Sequence, residues 1–323
     1  MGEIVKVKQN MEKIRVGVIG AGAMGKHHPR IYSEMEEVEL VGVADVDERR
    51  AAKVAAEYNT EAFTDCERLL KKNLDAVSIA VPTSLHKDIA LKAANYGVHM
   101  LIEKPIAESL SSADAIINAA RRENLKLMIG HIERFNPAIL KLKELISAGE
   151  LGQVLSISCR RVGPYPPRIR DVGIIIDLAV HDIDAISYLY GKRAINVYSI
   201  AGNSFHTKED HASILLQYED KKSGIVETNW LTPHKIRKLT ITGTGGVAHA
   251  DYLEQSLEIW KEGEVREVEI EKREPLKNEL EHFMHLIVNG EEPSPSGEEG
   301  KYALEVALSA IKSYEKGENI HLN

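Results

Sequence analysis

The chain has 323 residues, of which 28% are charged and 43% hydrophobic, and a formal net charge of −8. That length exceeds one ordinary core and predicts two domains, while the acidic balance excludes a general nucleic-acid binder. Only Cys66 and Cys159 are present, with neither metal spacing nor a disulfide framework. The N-terminus lacks the apolar core of a signal peptide, and no run approaches the roughly 18 apolar residues of a membrane span, so a soluble cytoplasmic protein is expected.

The first apolar run, Ile14 to Ile19, has the β-branched character of a buried parallel strand. It opens on Gly20-Ala-Gly-Ala-Met-Gly25, the spacing of a dinucleotide-binding turn. Gly20 would turn the chain out of the strand, Gly22 would let backbone approach a pyrophosphate, and Gly25 would let the next helix pack closely. A helix N-terminus there offers N–H groups and a positive dipole end to phosphates. Val38 to Asp45 reads as a second strand ending in an acid. Its carboxylate is placed to accept hydrogen bonds from ribose hydroxyls and to repel a 2′-phosphate, which favours NAD over NADP. Arg49 and Arg50 read as the solvated face of the helix Glu48 to Tyr58.

The alternation then continues. A short strand at Ala62-Phe63 precedes Thr64-Asp-Cys-Glu67, which reads as a capping box opening a helix to Lys71. A strand at Ala76 to Val81 runs into Pro82-Thr-Ser-Leu-His86 and a helix to Tyr96, with Gly97 as its C-terminal glycine. A strand at Val98 to Ile102 runs into Glu103-Lys104-Pro105. Ser111 or Ser112 would cap a helix to Arg122, and Leu125 to Ile129 is a last strand. Strands alternating with helices make an α/β doubly wound parallel sheet, a Rossmann domain over 12–131. Ligands of such sheets sit beyond the carboxyl ends of the strands, where Gly20, Asp45, Pro82 and Lys104 all lie.

Past Gly130 the pattern changes. Pro137 opens a helix to Ala148, Gln153 to Val162 is a strand, Gly163-Pro-Tyr-Pro-Pro is an irregular loop, and Ile174 to Tyr190 is a helix ended by Gly191. Strands then follow strands: Asn196–Ala201, Ala212–Tyr218, Gly224–Leu231, Ile236–Thr242, Val247–Tyr252, Ser256–Trp260 and Val265–Glu271, before helices at Leu276–Val288 and Glu298–Tyr314. This predicts an α+β domain over 132–323, built on an open antiparallel sheet. An exposed sheet face there would favour association with further copies of the chain, though the mixed apolar-polar alternation does not count the subunits.

Three features could carry chemistry. Lys104 stands at a strand end, where it is either a crevice lysine or an ordinary surface one. Asp177, His181 and Asp184 recur at i, i+4, i+7, on one face of an otherwise apolar helix. Histidine suits the removal of a hydroxyl proton near neutrality, and Asp177 could orient it or bind a substrate hydroxyl; the alternative is a buried Asp–His pair that ties down the helix. Arg160, Arg161, Arg168 and Arg170 cluster in and beside the Pro-rich loop, where arginine forks could grip an anionic substrate or simply form salt bridges. Glu133-Arg134-Phe135-Asn136 follows the last strand of the first domain and could line the cleft or act as a hinge contact. His27 and His28 read as helix surface or cofactor-adjacent. No histidine set has a convincing third ligand, so no metal is expected.

These residues resemble the Gfo/Idh/MocA oxidoreductases. The resemblance rests on Gly20-Ala-Gly-Ala-Met-Gly25, Val81-Pro-Thr-Ser-Leu-His86, Glu103-Lys-Pro105 and Asp177-x-x-x-His181, which together span most of the chain. It implies NAD held by Gly20, Gly22, Ala23, Met24, Gly25, Asp45, Val81, Pro82, Thr83, His86, Glu103 and Lys104, a catalytic set of Lys104, Asp177 and His181, and assembly as a homodimer or homotetramer. Many members have glycine two residues after the aspartate; here it is Ala179, which would crowd the pocket by a methyl. Gly130-His-Ile-Glu-Arg-Phe-Asn-Pro137 and Arg161 to Gly173 look like the branch that oxidises UDP-N-acetylglucosamine at C3. Arg134, Asn136, Arg161, Tyr165 and Arg168 would then meet the substrate. Alternatives are a dehydrogenase of a free sugar or inositol, a glycoside hydrolase that uses NAD transiently, and a non-catalytic nucleotide sensor.

Overall fold

The computed structural model describes residues 13–167 and 172–322, and the chain forms two compact units. One comprises the chain up to Glu103 with Ala115–Met128 and His282–Pro293; the other comprises Lys104–Asp114, Ile129–Glu281 and the chain from Ser294 onward. By its contacts Lys104 falls in the second unit, one peptide bond past Glu103. Among the described residues no helix is long and apolar enough to cross a membrane.

The elements alternate as the hydrophobic runs predict. They are β1 (Ile14–Ile19), α1 (His28–Glu34), β2 (Val38–Ala44), α2 (Glu48–Glu57), β3 (Glu61–Phe63), α3 (Cys66–Leu70), β4 (Ala76–Ile79), α4 (His86–Asn95), β5 (His99–Glu103), α5 (Leu110–Arg122) and β6 (Leu127–Gly130). The six strands form one sheet in the order β3-β2-β1-β4-β5-β6, and β1 runs parallel to both β2 and β4. Val16, Val18, Ile79 and Leu101 are buried, as expected for strands covered on both faces. The order reverses between β1 and β4, so the carboxyl ends of β1, β2 and β4 surround the switch point where such sheets take ligands.

Two local readings need correction. The cap of α3 is Asp65, whose side chain accepts from the Glu67 amide, not a Thr64 capping box. At the start of α5 it is Ser109, not Ser111 or Ser112, whose hydroxyl accepts from a backbone amide, that of Ser112. A single residue's offset decides which oxygen reaches the open amides, and the sequence pattern does not resolve that offset.

The chain continues with α6 (Pro137–Ser147), β7 (Val154–Pro164), α7 (Val180–Tyr190), β8 (Asn196–Gly202), β9 (His211–Gln217), β10 (Ser223–Asn229), β11 (Leu231–Gly243), β12 (Gly246–Asp251), β13 (Ser256–Lys261), β14 (Glu264–Glu267), α8 (Pro275–Asn289), α9 (Gly297–Lys316) and β15 (Ile320–His321), all in the second unit except α8 from His282 onward. The nine strands lie in the order β14-β13-β12-β11-β7-β10-β9-β8-β15. The sheet is mostly antiparallel, but β7 inserts between β11 and β10 and runs parallel to β10. A meander read from chain order misses this, because β7 comes from far upstream of its neighbours. Strand β7 also takes in Gly163 and Pro164, which had read as loop.

One face of this sheet is covered. Ile186 of α7 packs over Gly224, and Ser199 of β8 is tied to α9: its hydroxyl donates to the Ala310 carbonyl and its amide to the Ser313 hydroxyl. On the other face Tyr198 and Leu215 sit opposite one another in register, as do Leu215 and Ile225, and all three are exposed. The start of α9 carries a full capping box between Ser296 and Glu299.

Candidate active site

In the first unit the glycine turn has the form its spacing predicts. Gly20 lies at φ +96°, and a Cβ there would meet the Ala80 carbonyl oxygen at 2.5 Å. A Cβ on Gly25 would lie 2.0 Å from the Gly20 carbonyl oxygen, so Gly25 closes the turn on itself. Gly22 differs: a Cβ there would meet nothing within 4 Å, so its backbone faces open space. Ala23 beside it is exposed and Met24 partly so. The first turn after Gly25 is 3-10 (Gly25–His27) rather than α, and α1 begins only at His28.

Asp45 caps this arrangement. Its carboxylate accepts from the Ala21 amide at 2.8 Å and the Asp47 amide at 2.9 Å, which fixes it beside the turn. Arg50 is not merely solvated face; its Nη1 reaches Asp45 Oδ2 at 3.2 Å and its Nη2 reaches Asp47 at 3.4 Å. Val81 and Thr83 are partly exposed and Pro82 is exposed. His86 and Glu103 have structural work: His86 Nε2 is 3.0 Å from the Val81 carbonyl oxygen, and Glu103 pairs at 3.2 Å with the buried His28. His28 is thus an interior residue rather than helix surface. An open glycine backbone beside a fixed carboxylate fits a dinucleotide's pyrophosphate and ribose.

In the second unit Lys104, Asp177 and His181 come together. Lys104 Nζ donates to the Asp177 backbone carbonyl at 2.6 Å and lies 3.6 Å from Asp177 Oδ1. The segment Ile175–Ala179 is a π turn running into α7. Wide turns of this kind are frequent at functional sites. The inserted residue also breaks the strict 3.6-residue face on which Asp177, His181 and Asp184 had been placed. Asp184 instead turns inward, where Arg134 donates to it from two nitrogens at 2.8 and 2.6 Å.

His181 is partly buried, and its Nδ1 has no hydrogen-bond partner among the described residues. Burial, and after it the positive charges of Lys104 and Arg161, hold its pKa well below the ordinary histidine value. His181 is therefore neutral at neutral pH and keeps a lone pair for a proton. His131, given no role of its own within Gly130 to Pro137 in the sequence, is buried nearby; neither ring nitrogen has a hydrogen-bond partner among the described residues, and Asp184 Oδ2 lies 3.7 Å from its Nδ1. Burial likewise lowers its pKa.

The arginines expected to grip the substrate are largely spent inside. Arg161 is buried, bonded to both Asp182 oxygens at 2.9 and 2.8 Å and to Glu133 at 2.6 Å. Arg134 is held by Asp184 and by Glu299 of α9. Asn136 is also buried: its oxygen caps α6 at the Ala138 amide, and its nitrogen donates to the Tyr252 carbonyl. These three are interior struts rather than presented ligands. Arg160 is exposed and pairs with Glu227. Tyr165 is exposed and stands against Trp230 and His206, with ring centroids 5.4 and 5.2 Å away. Arg168 and Arg170 lie outside the described residues. Among the described residues no cluster of histidine, cysteine and carboxylate side chains could hold a metal ion.

Comparison with known proteins places this geometry. Residues 14–131 match the family described as "Oxidoreductase family, NAD-binding Rossmann fold", and residues 139–249 match the "GFO/IDH/MocA C-terminal domain". The chain belongs to the Gfo/Idh/MocA oxidoreductase family. It is 33% identical to the UDP-N-acetylglucosamine 3-dehydrogenase of Acidithiobacillus ferrooxidans, over 92% of this chain and 96% of that one. A solved structure of that enzyme superposes with a TM-score of 0.89, covering 95% of this chain and 99% of the other. The chain is also 28% identical to the inositol 2-dehydrogenase of Rhizobium meliloti, over 93% of this chain and 96% of that one. The protein is thus an NAD-dependent oxidoreductase, and the glycine turn and Asp45 belong to its NAD-binding Rossmann fold.

Proposed function

We propose that this protein oxidises a sugar hydroxyl to a ketone, and that its substrate is UDP-N-acetylglucosamine, oxidised at C3. The observation that carries the reading is the meeting of Lys104, Asp177 and a neutral His181 in one place. Bound NAD supplies the hydride acceptor. His181 takes the hydroxyl proton, which its lowered pKa keeps possible at neutral pH. Lys104, anchored by the Asp177 carbonyl, polarises the hydroxyl with its positive charge. Asp177 orients both the lysine and the sugar ring. Gly20 to Gly25, Asp45, and Val81 to Thr83 hold the cofactor.

The nucleotide-sugar assignment is supported by the identity to the UDP-N-acetylglucosamine 3-dehydrogenase over nearly the whole chain. A second reading, oxidation of a free sugar or inositol, is favoured by the internal commitment of Arg134 and Arg161 and by the likeness to inositol dehydrogenases. The deciding experiment follows NADH formation by purified protein with NAD and UDP-N-acetylglucosamine, free N-acetylglucosamine or inositols. A signal that needs the UDP group supports the first reading; a signal from free polyols alone overturns it. Replacing Lys104 or His181 by alanine should lower turnover by about 10²- to 10⁴-fold with NAD binding retained, and near-normal turnover in either variant would remove that residue from its role.

The outer face of β8, β9 and β10, with Tyr198, Leu215 and Ile225 in one row, supports pairing with a second copy of the chain. Light scattering should show a dimer or tetramer that Leu215→Lys weakens, and a monomeric wild type would refute the pairing.

A further inference from the structure

In the second unit Arg237 is half-withdrawn from water, and among the described residues its guanidinium makes no side-chain hydrogen bond. Arg237 lies on β11 directly opposite Arg161 of β7, so the two side chains share a face of the sheet. Their partners differ sharply. Arg161 uses its fork on Asp182 and Glu133 at hydrogen-bond distance. Arg237 has only Glu133 Oε1, at 3.8 Å, on an oxygen that Arg161 already holds at 2.6 Å. The Arg237 side chain is one-third exposed (33%), so it is neither a solvated surface arginine nor a sealed one.

Its surroundings belong to the candidate active site. The Arg237 charge acts on His181, and the Asp177 carboxylate acts on Arg237. A half-withdrawn guanidinium with five N–H donors and no acceptor is costly to keep, unless an acceptor arrives from outside. The planar fork matches the paired oxygens of a phosphate or carboxylate. Arg161 cannot take this part, since its donors point into a buried ion pair.

We propose that Arg237 is the substrate-anchoring cation of this site, taking the phosphate oxygens of a sugar 1-phosphate or sugar diphosphate whose ring hydroxyl faces Lys104 and His181. This rests on the sugar-oxidation reading and names the group that would distinguish a nucleotide sugar from a free polyol. It takes the part that the family resemblance implied for Arg134 and Arg161, and gives it to a residue that no motif marks.

The test compares wild type with Arg237→Met, which keeps the apolar stem, and Arg237→Lys, which keeps the charge without the fork. Calorimetry on protein loaded with NADH measures the affinity for N-acetylglucosamine 1-phosphate and for N-acetylglucosamine. Wild type should prefer the phosphorylated sugar by roughly 10- to 100-fold; Arg237→Met should lose that preference and Arg237→Lys keep part of it. The KM for UDP-N-acetylglucosamine should rise by a similar factor in Arg237→Met, with a much smaller change in kcat. The proposal is overturned if wild type shows no preference, if Arg237→Met retains it, or if both sugars lose affinity equally. Turnover by wild type reads the functional assignment separately. A wild type that binds the phosphate through Arg237 but does not oxidise UDP-N-acetylglucosamine refutes the assignment and keeps the anchor. A wild type that oxidises it with an unchanged KM in Arg237→Met does the reverse.

Discussion

Gly22 and Gly25 of the cofactor turn do different jobs, and adding one methyl group at each separates them. A Cβ at Gly25 would lie 2.0 Å from the Gly20 carbonyl oxygen, so Gly25→Ala should destabilise the protein even without cofactor. A Cβ at Gly22 meets nothing within 4 Å. Gly22→Val should therefore leave the cofactor-free melting temperature within about 1 °C of wild type, while blocking the approach of a pyrophosphate. At a hundredfold excess over Kd, NAD stabilises wild type by about 2.7 kcal/mol, and Gly22→Val should lose most of that gain. A variant that melts like wild type both with and without NAD would show that the backbone at Gly22 is not what the phosphates approach. The glycine turn and Asp45 were legible in the sequence because their spacing at strand ends is local, whereas spacing left Lys104 and His181 as candidates that only the family resemblance singled out. Arg237 was not marked at all and His131 only as one letter of a motif, because what isolates them is the register of β11 on β7 and the depth of burial, neither of which a linear pattern carries.

At the scale of an element, the helix that carries the site is fastened by charges at its buried edge. Asp182 is held by Arg161 and Asp184 by Arg134, and Arg161 also engages Glu133 just past β6. The apolar pattern of Ile174 to Tyr190 predicted a helix ended by Gly191, and α7 does end there, with Gly191 in the αL conformation. It did not predict the π turn at Ile175–Ala179 or the inward turn of Asp182 and Asp184, since periodicity assumes one constant pitch. Removing Arg161 leaves Asp182 and Glu133 buried without their main cation, a defect that typically costs about 3 to 5 kcal/mol. Arg161→Met should thus lower the melting temperature by on the order of 10 °C, and adding Asp182→Asn should recover part of the loss. If Arg161→Met melted within about 2 °C of wild type, the fastening role would be wrong, and a substrate role for Arg161 would have to be reconsidered.

For the molecule as a whole, three histidines withdrawn from water add a pH dependence to stability, and its sign follows from the direction of their shifts. His131 and His181 of the second unit and His99 of the first all have folded pKa values below the ordinary one, with burial as the leading cause. The unfolded chain takes up protons on these residues near pH 6.5, while the folded chain still resists them. Between those values the unfolded state binds more protons, so stability rises with pH. Their contribution is fully present above about pH 6.5 and is lost as pH falls through the folded values. The melting temperature should accordingly fall between pH 7 and pH 5. His131→Asn should flatten that fall while lacking the titrating ring, even where its absolute stability is lower. The same depression has a functional consequence that separates it from simple packing. With His181 neutral well below pH 6.5, the acid limb of kcat/KM should lie below the histidine range that an exposed base would give. A limb centred at pH 7 or above, together with a melting temperature that does not fall on acidification, would mean that His181 is solvated rather than held neutral, and the assignment of the base would fail with it.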